Sequence, residues 1–433
     1  MAGETRTSGE SGTARGTTGW IDATLVGLIC VSIAVTVLGG LIQVSFGAYS
    51  MTLPEAWRAV TEPTVLFSAD AWRAFLLGAE LPEMNRRALI VWNIRVPRVI
   101  VGMFVGMNLA VAGAVFQAVT RNELASPYIL GVSHGSGLGV LVTFVFFSGL
   151  THLVPLMAAV GGALAFIVVY AIAWNGGTSP VRLVLAGVVV GMVAWSLQRG
   201  LFFFVEDIGV VQSALAWITG SLTGTDWEQV RLVAPWSVVS IFVAAIGARH
   251  LNVLVLGEST AKSLGMKVEW ARFGLSAVAI VATSSAIAVA GIVSFVGLIV
   301  PHVVRTVVGS DYRRIIAGSL FVGPALVTAA DVGARLGPSV VAVAAGAVIL
   351  VAGLALGIGG LVGSTAVRSR YDTDYTRPAG VALVVGAGML GLAWLAGGPA
   401  VSDTQLPVGI VTGLVGGPYF LYLMRRRKHL GDL

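Results

Sequence analysis

The sequence predicts an all-α fold, a polytopic transmembrane helical bundle, on three observations. Of the 433 residues 56% are hydrophobic and only 11% are charged, whereas a soluble domain carries about twice that share of charge. The mean hydropathy is +0.89. About a dozen mostly apolar windows reach the roughly 20 residues that a helix needs to cross the bilayer core. They are continuous runs, not the short alternating segments of a membrane β-barrel.

Residues 1–19 are polar and contain no small-residue cleavage site behind a short apolar core, so they are expected to form a disordered cytoplasmic tail. The first span is 21–47. It contains Cys30, the single cysteine, which excludes a disulfide framework or a thiolate metal site. The segment from there to residue 93 contains Trp57, Trp72 and Trp92, residues suited to a membrane interface. An uncharged run makes 99–120 the second span, followed by a polar turn at 121–127 and a third span at 128–150. The fourth and fifth spans are 152–174 and 183–205, separated by NGGTSPVR, a turn by its glycine and proline.

A partly polar connection at 206–229 leads to a short sixth span, 232–247. The mixed stretch RHLNVLVLGESTAKSLGMKVEWAR predicts one or two short helices outside the bilayer. The seventh span is 273–295, the eighth is 297–308 with an interruption expected at Pro301, and the ninth is 315–334. Uncharged runs of 32 residues (336–367) and 24 residues (379–402) predict two more, and 406–423 is the last before the basic tail RRRKH. Twelve spans place both termini on one side.

The net charge of +6 comes from 24 arginines and 3 lysines set against 21 acidic residues, with the basic residues gathered near span ends. This pattern sets topology and does not imply nucleic-acid binding. With the N-terminus inside, Arg121, Arg182, Arg249, Lys262, Lys267, Arg272, Arg305, Arg313 and Arg314 all fall inside, as do Arg368, Arg370, Arg377 and RRRK. Arg86, Arg87, Arg95 and Arg98 form an outside exception before the second span.

No phosphate-loop motif occurs, so the chain cannot bind ATP in that manner by itself. The histidines His134, His152, His250, His302 and His429 lack ligand spacing, and no serine nucleophile elbow or paired catalytic carboxylates lie in the spans. Nothing here predicts a catalytic residue, a metal site or a cofactor of the chain's own. Charges inside the spans are scarce, which disfavours an ion-coupled secondary transporter, the alternative reading. Asp331 lies four residues before Arg335 on one helix face, either to ease insertion or to orient Arg335 toward an outside partner. AVAGAVF at residue 110 is echoed by AVAGIVSF 178 residues later, and because the second span runs inward and the seventh outward in this topology, the echo has the geometry of an inverted repeat of a transporter.

Eight motifs in order carry a family resemblance: IRVPR (94–98), VAGAVFQ with RNELASPYILGVSHGSGLG (111–139), VRLVLAGVVVG (181–191), AWITGSL (216–222), LNVLVLGESTAKSLGM (251–266), VAGIVSFVGLIVPHVVR (289–305), ADVGARL (330–336) and LPVGIVTGLVGGPYF (406–420). The chain resembles the permease of a type II ABC importer, the family that takes up ferric siderophores, haem and cobalamin. The resemblance implies a homodimer of permeases in the cell membrane, two ATPase subunits that bind ATP and Mg, and an external substrate-binding protein. It implies transport by alternating access with no cofactor on this chain.

Residue by residue, the resemblance implies that Arg95, Arg98 and Arg335 face outside and dock the binding protein. Leu256, Gly257, Ser259, Ala261, Leu264 and Gly265 match the coupling helix that sits in a groove of the ATPase, with Ser259, Ala261 and Leu264 on its contact face. Asn122, Leu124, Thr178 and Ser179 match the cytoplasmic gate, although Glu123 stands where the family usually has proline. The family's ten-helix core would be distributed over a permease core at 20–336 and a last helix with basic cytoplasmic tail at 405–433. Between them, 337–404 inserts an expected helical hairpin, long enough for two spans at roughly 20 residues each, with a re-entrant hairpin as the alternative.

Overall fold

Backbone amides and carbonyls inside lipid must be satisfied within the chain, and long apolar runs achieve this as helices. The computed structural model describes residues 21–45, 49, 51–205, 208–335 and 407–428. Its α-helices, in chain order, are α1 (Ala23–Ser45), α2 (Leu53–Val60), α3 (Pro63–Leu66), α4 (Ala69–Leu77), α5 (Arg86–Ile90), α6 (Val96–Val119), α7 (Val132–Phe146) and α8 (Val154–Ala173). They continue with α9 (Pro180–Leu201), α10 (Ile208–Thr219), α11 (Trp227–Val255), α12 (Glu258–Ser263), α13 (Val268–Ala290), α14 (Val296–Val308), α15 (Tyr312–Arg335) and α16 (Val408–Lys428). Among the described residues, seven segments are long and apolar enough to cross a membrane, and Val132–Phe146, Val296–Val308 and Val408–Tyr419 are shorter apolar helices. The predicted hairpin at 337–404, with its two spans, lies outside the described residues, as does the tail at 1–19.

The arrangement is centred on α6, which packs against α11, α13, α14 and α15. Its apolar window is 72% buried, against 28% for α1 at the periphery. Small residues make this closeness possible, since lipid supplies no hydrophobic drive between helices and backbones must approach for dispersion to act. A Cβ on Gly113 of α6 would lie 1.8 Å from the carbonyl oxygen of Gly297, and one on Gly106 would lie 2.4 Å from that of Gly323. One polar rung crosses the interior. Fully buried Asn108 donates through Nδ2 to Ser237 Oγ at 2.7 Å and Ser285 Oγ at 3.0 Å, joining α6, α11 and α13.

Several expectations change in detail. The sixth span is not short: α11 runs 29 residues from an Asp226 capping box through Arg249 and His250. Charges near a helix end do not stop it, because long side chains reach the polar interface from inside the last turns. Pro301 does not interrupt the eighth span. It lies inside α14, and its missing N–H frees the Gly297 carbonyl that faces Gly113. The connection 206–229 contains the helix α10.

The tryptophans also differ from a simple interfacial role. Trp92 and Trp227 are buried and sandwich Phe75 of α4 at 5.7 and 4.7 Å. Trp92 Nε1 donates to the Ala59 carbonyl at 2.9 Å, and Trp227 Nε1 to that of Trp92 at 2.6 Å. This aromatic stack holds the α2–α5 segment on the end of the bundle. The AVAG echo occupies unlike places, the C-terminal half of α6 and the terminus of α13.

Candidate functional site

The two ends of the bundle carry its polar chemistry. At the start of α6, a π-helical turn over Val91–Arg95 inserts an extra residue per turn and swings Arg95 inward. Arg95 is buried and donates to the carbonyls of Val44 and Tyr49, capping the end of α1. Arg98 is also buried and forms a bidentate pair with Asp331 of α15, Nη2 to Oδ1 at 2.6 Å and Nε to Oδ2 at 3.0 Å. The expectation that Arg95 and Arg98 face outward is therefore corrected for this chain, because both find acceptors inside the bundle. Asp331 reaches Arg98 across the interface between α6 and α15. The side chain of Arg335 lies outside the described residues.

At the opposite end, two glycines with positive φ, Gly257 at 109° and Gly265 at 79°, let the chain turn sharply on either side of α12. Leu256 is 63% exposed and Leu264 64% exposed, and Ser259 is exposed beside them. Ala261 was expected on that contact face, but it is fully buried and pins α12 to the bundle. Alanine on a short helix fits the tight inner side, whereas the flanking leucines stay largely exposed.

The α8–α9 turn meets this region through α13. Thr178 is buried, and all of its polar atoms are engaged by one acid and one base. Its N–H and Oγ1–H donate to Glu269 at 3.2 and 2.8 Å. Its carbonyl and Oγ1 accept from Arg272 Nη1 at 2.6 and 2.7 Å. Tyr170 OH donates to Glu269 at 3.1 Å, and Arg272 Nη2 lies 3.8 Å from Glu258 of α12. Ser179 is the N-cap of α9, accepting from the Arg182 N–H at 3.2 Å.

In the α6–α7 turn, Asn122 Oδ1 accepts from the Leu124 N–H at 2.9 Å, a local turn that fixes both residues. Glu123 between them lies 3.3 Å from Arg305 and 3.7 Å from His302 of α14. Arg305 also donates to Tyr312 OH at 2.9 Å. In the α14–α15 loop, burial pushes the Asp311 carboxyl up, but hydrogen bonds from Arg313 and Asn252 outweigh it and hold its pKa at about 2. Hydrogen bonding from Lys262 likewise lowers the Glu258 carboxyl.

Glu258, Glu269 and Arg272 are functional candidates to which the motifs assign no role. The i,i+3 pairing of Glu269 and Arg272 is visible within VEWAR, but Thr178, the partner these two share, is 91 positions from Glu269. Among the described residues, no group of three or more histidine, cysteine or acidic side chains converges in a way that could hold a metal ion.

A glycine-packed helical bundle with an exposed short helix and a braced polar turn at one end defines a membrane-embedded transport subunit. The chain belongs to the FecCD transport family, which it matches over residues 35–356 and 336–426. It is 32% identical over 346 residues to an Fe(3+)-citrate import system permease protein of Bacillus subtilis (strain 168), covering 80% of this chain and 84% of that protein. It is 34% identical to a cobalamin import system permease protein of Halobacterium salinarum, covering 78% of this chain and 74% of that one. Its fold is similar to that of a metal-chelate type ABC transporter solved in an inward-facing conformation, with a TM-score of 0.64, 20% identity and coverage of 93% and 99%.

Proposed function

We propose that this chain is the permease of an ATP-driven importer that receives a metal chelate, such as cobalamin, a ferric siderophore or haem, from a substrate-binding protein. The ligand passes to the cytoplasm by alternating access. The observation that carries this reading is α12, a short helix outside the spans with two largely exposed leucines and a glycine of positive φ at each end. A partner groove that buries Leu256 and Leu264 would hold it, and an ATPase that binds ATP and Mg is the partner that the family membership supports. In this reading Gly257, Ser259 and Gly265 belong to the same contact.

The end that bears α12 is then cytoplasmic, with both termini, and Asn122, Leu124, Thr178 and Ser179 line the gate. Two permease copies and two ATPases form the transporter. The binding protein docks at the other end, where Arg335 and the exposed Arg86 and Arg87 are the candidate cations in place of buried Arg95 and Arg98. The segment 337–404, read from the sequence as an inserted helical hairpin, joins the permease core to the last helix.

The test is reconstitution in liposomes with the ATPase and binding protein, followed by uptake assays with ferric siderophore, haem and cobalamin. Uptake of one of them that requires ATP inside the ATPase compartment is the expected result. Uptake that persists without the ATPase and follows an ion gradient would overturn the proposal in favour of a secondary transporter.

A further inference from the structure

Resting on the assignment of α12 to the ATPase contact and of Thr178 to the gate, we infer that Arg272 is a positioning residue that links the two, with Glu258 and Glu269 as its anchors. Arg272 is only 2% exposed, although it lies at the polar end of the bundle where a guanidinium could easily reach water. It faces the α8–α9 turn. One nitrogen, Nη1, donates to the Thr178 carbonyl, to Thr178 Oγ1 and to Glu269 Oε1 at 2.6, 2.7 and 2.9 Å.

Glu269 closes the grip from the other side, accepting from the N–H and hydroxyl of Thr178. No polar atom of Thr178 is left to exchange with water, so the turn moves with the base of α13 or breaks several charge-assisted bonds at once. The second arm of the guanidinium is different in kind. Its Nη2 lies 3.8 Å from Glu258, a looser ion pair that a displacement of less than an ångström would tighten or break.

Glu258 is the first residue of α12, immediately after hinge Gly257. It also receives Lys262 at 2.8 Å, and the positive field of Arg121 from the α6–α7 turn acts on it. A Cβ on Gly257 would lie 3.6 Å from Arg121 Nη1, so both turns assigned to the gate adjoin the start of α12. A movement imposed on α12 therefore changes the Glu258–Arg272 distance first, and the rigid Arg272–Thr178–Glu269 unit carries the change to the turn. The planar fork of arginine serves these three partners at once, which a lysine ammonium reproduces only in charge.

The experiment uses the full transporter in liposomes, comparing wild type with Glu258→Gln, Arg272→Lys and Arg272→Gln. Ligand uptake per ATP hydrolysed is the readout, because a bracing role that only stabilises the fold leaves that ratio unchanged. Glu258→Gln is expected to lower the ratio roughly two- to five-fold, the span that loss of one partly exposed ion pair supplies. Arg272→Gln should lower it further, with Arg272→Lys in between. A ratio equal to wild type in Glu258→Gln and Arg272→Lys would overturn the inference, as would parallel losses of uptake and hydrolysis in step with melting temperature. The underlying assignment is checked separately with Leu264→Cys in a Cys30→Ser background. Absence of a crosslink from that position to the ATPase refutes the assignment, whereas a crosslink together with an unchanged ratio refutes the link.

Discussion

Arg98 and Asp331, 233 positions apart, meet in a bidentate pair at 2.6 and 3.0 Å that joins the start of α6 to the end of α15. Both side chains are shielded, with 8% and 1% exposure. Removing one partner leaves an uncompensated charge at a site where water cannot follow, which costs about 3–5 kcal/mol, whereas replacing both with apolar groups is often close to neutral. Asp331→Ala should therefore strongly lower the melting temperature of the detergent-solubilised protein, and Arg98→Met with Asp331→Leu should recover most of it. Equal melting of Asp331→Ala and wild type would show that the pair contributes nothing.

Gly113 supplies a second test. A methyl group there would overlap the Gly297 carbonyl, which lies 1.8 Å from the Cβ position and belongs to backbone that cannot step aside. Gly113→Ala should force α6 and α14 apart at the typical overpacking cost of about 1–3 kcal/mol. Gly200→Ala is the control, because open space surrounds that residue in α9. There the gain in helix propensity should leave stability equal or slightly higher. Size-exclusion profiles and melting of the two variants side by side decide the matter, and equal behaviour would contradict the close packing.

Asp311 makes stability depend on pH in a defined window. Its folded pKa of about 2 lies below the ordinary 3.8, held down by Arg313 and Asn252 against the opposing effect of burial. A depressed carboxyl contributes stability that is fully present above the ordinary value and is lost as pH falls through the folded value. The stability difference between wild type and Asp311→Asn should therefore stay flat from neutral pH down to about 4 and shrink as pH approaches about 2. A difference that instead changed between pH 5 and 7 would assign the linkage to another group.

The contrast between what the sequence made legible and what it did not follows from the range of the forces involved. Continuous apolar runs fix spans because lipid penalises every unsatisfied backbone group locally, so a window of 99–120 anticipates α6 at Val96–Val119. The resemblance motifs likewise located α12 and the two turns. Partnerships between distant side chains are a different matter. Asp331 was paired by spacing with Arg335 on its own helix, yet helix periodicity carries no information about Arg98 on another. Arg95 looked like an outward cation because composition does not reveal the π-helical turn that rotates it inward. Trp92 reads from the sequence as an interface residue, and only the packing of α4 shows that Phe75 lies between it and Trp227. Ala261 failed as a contact residue for a related reason: a six-residue helix has an inner side, and the sequence alone does not say which side that is.

The exposed leucines of α12 give the most direct prediction about assembly. Leu256 and Leu264 flank the helix at 63% and 64% exposure, just past the candidate span Trp227–Val255. Burying a leucine fully is worth about 1.5–3 kcal/mol, so an ATPase groove that accepts both would depend on them heavily. Leu256→Ser with Leu264→Ser should leave the melting temperature of the isolated permease unchanged, because neither side chain contributes to its interior. The same double variant should lose co-purification of the ATPase and ATP-dependent uptake together. If the variant still assembles and transports at wild-type levels, α12 is not the contact, and the assignment of this end as the cytoplasmic face must be sought elsewhere on the bundle.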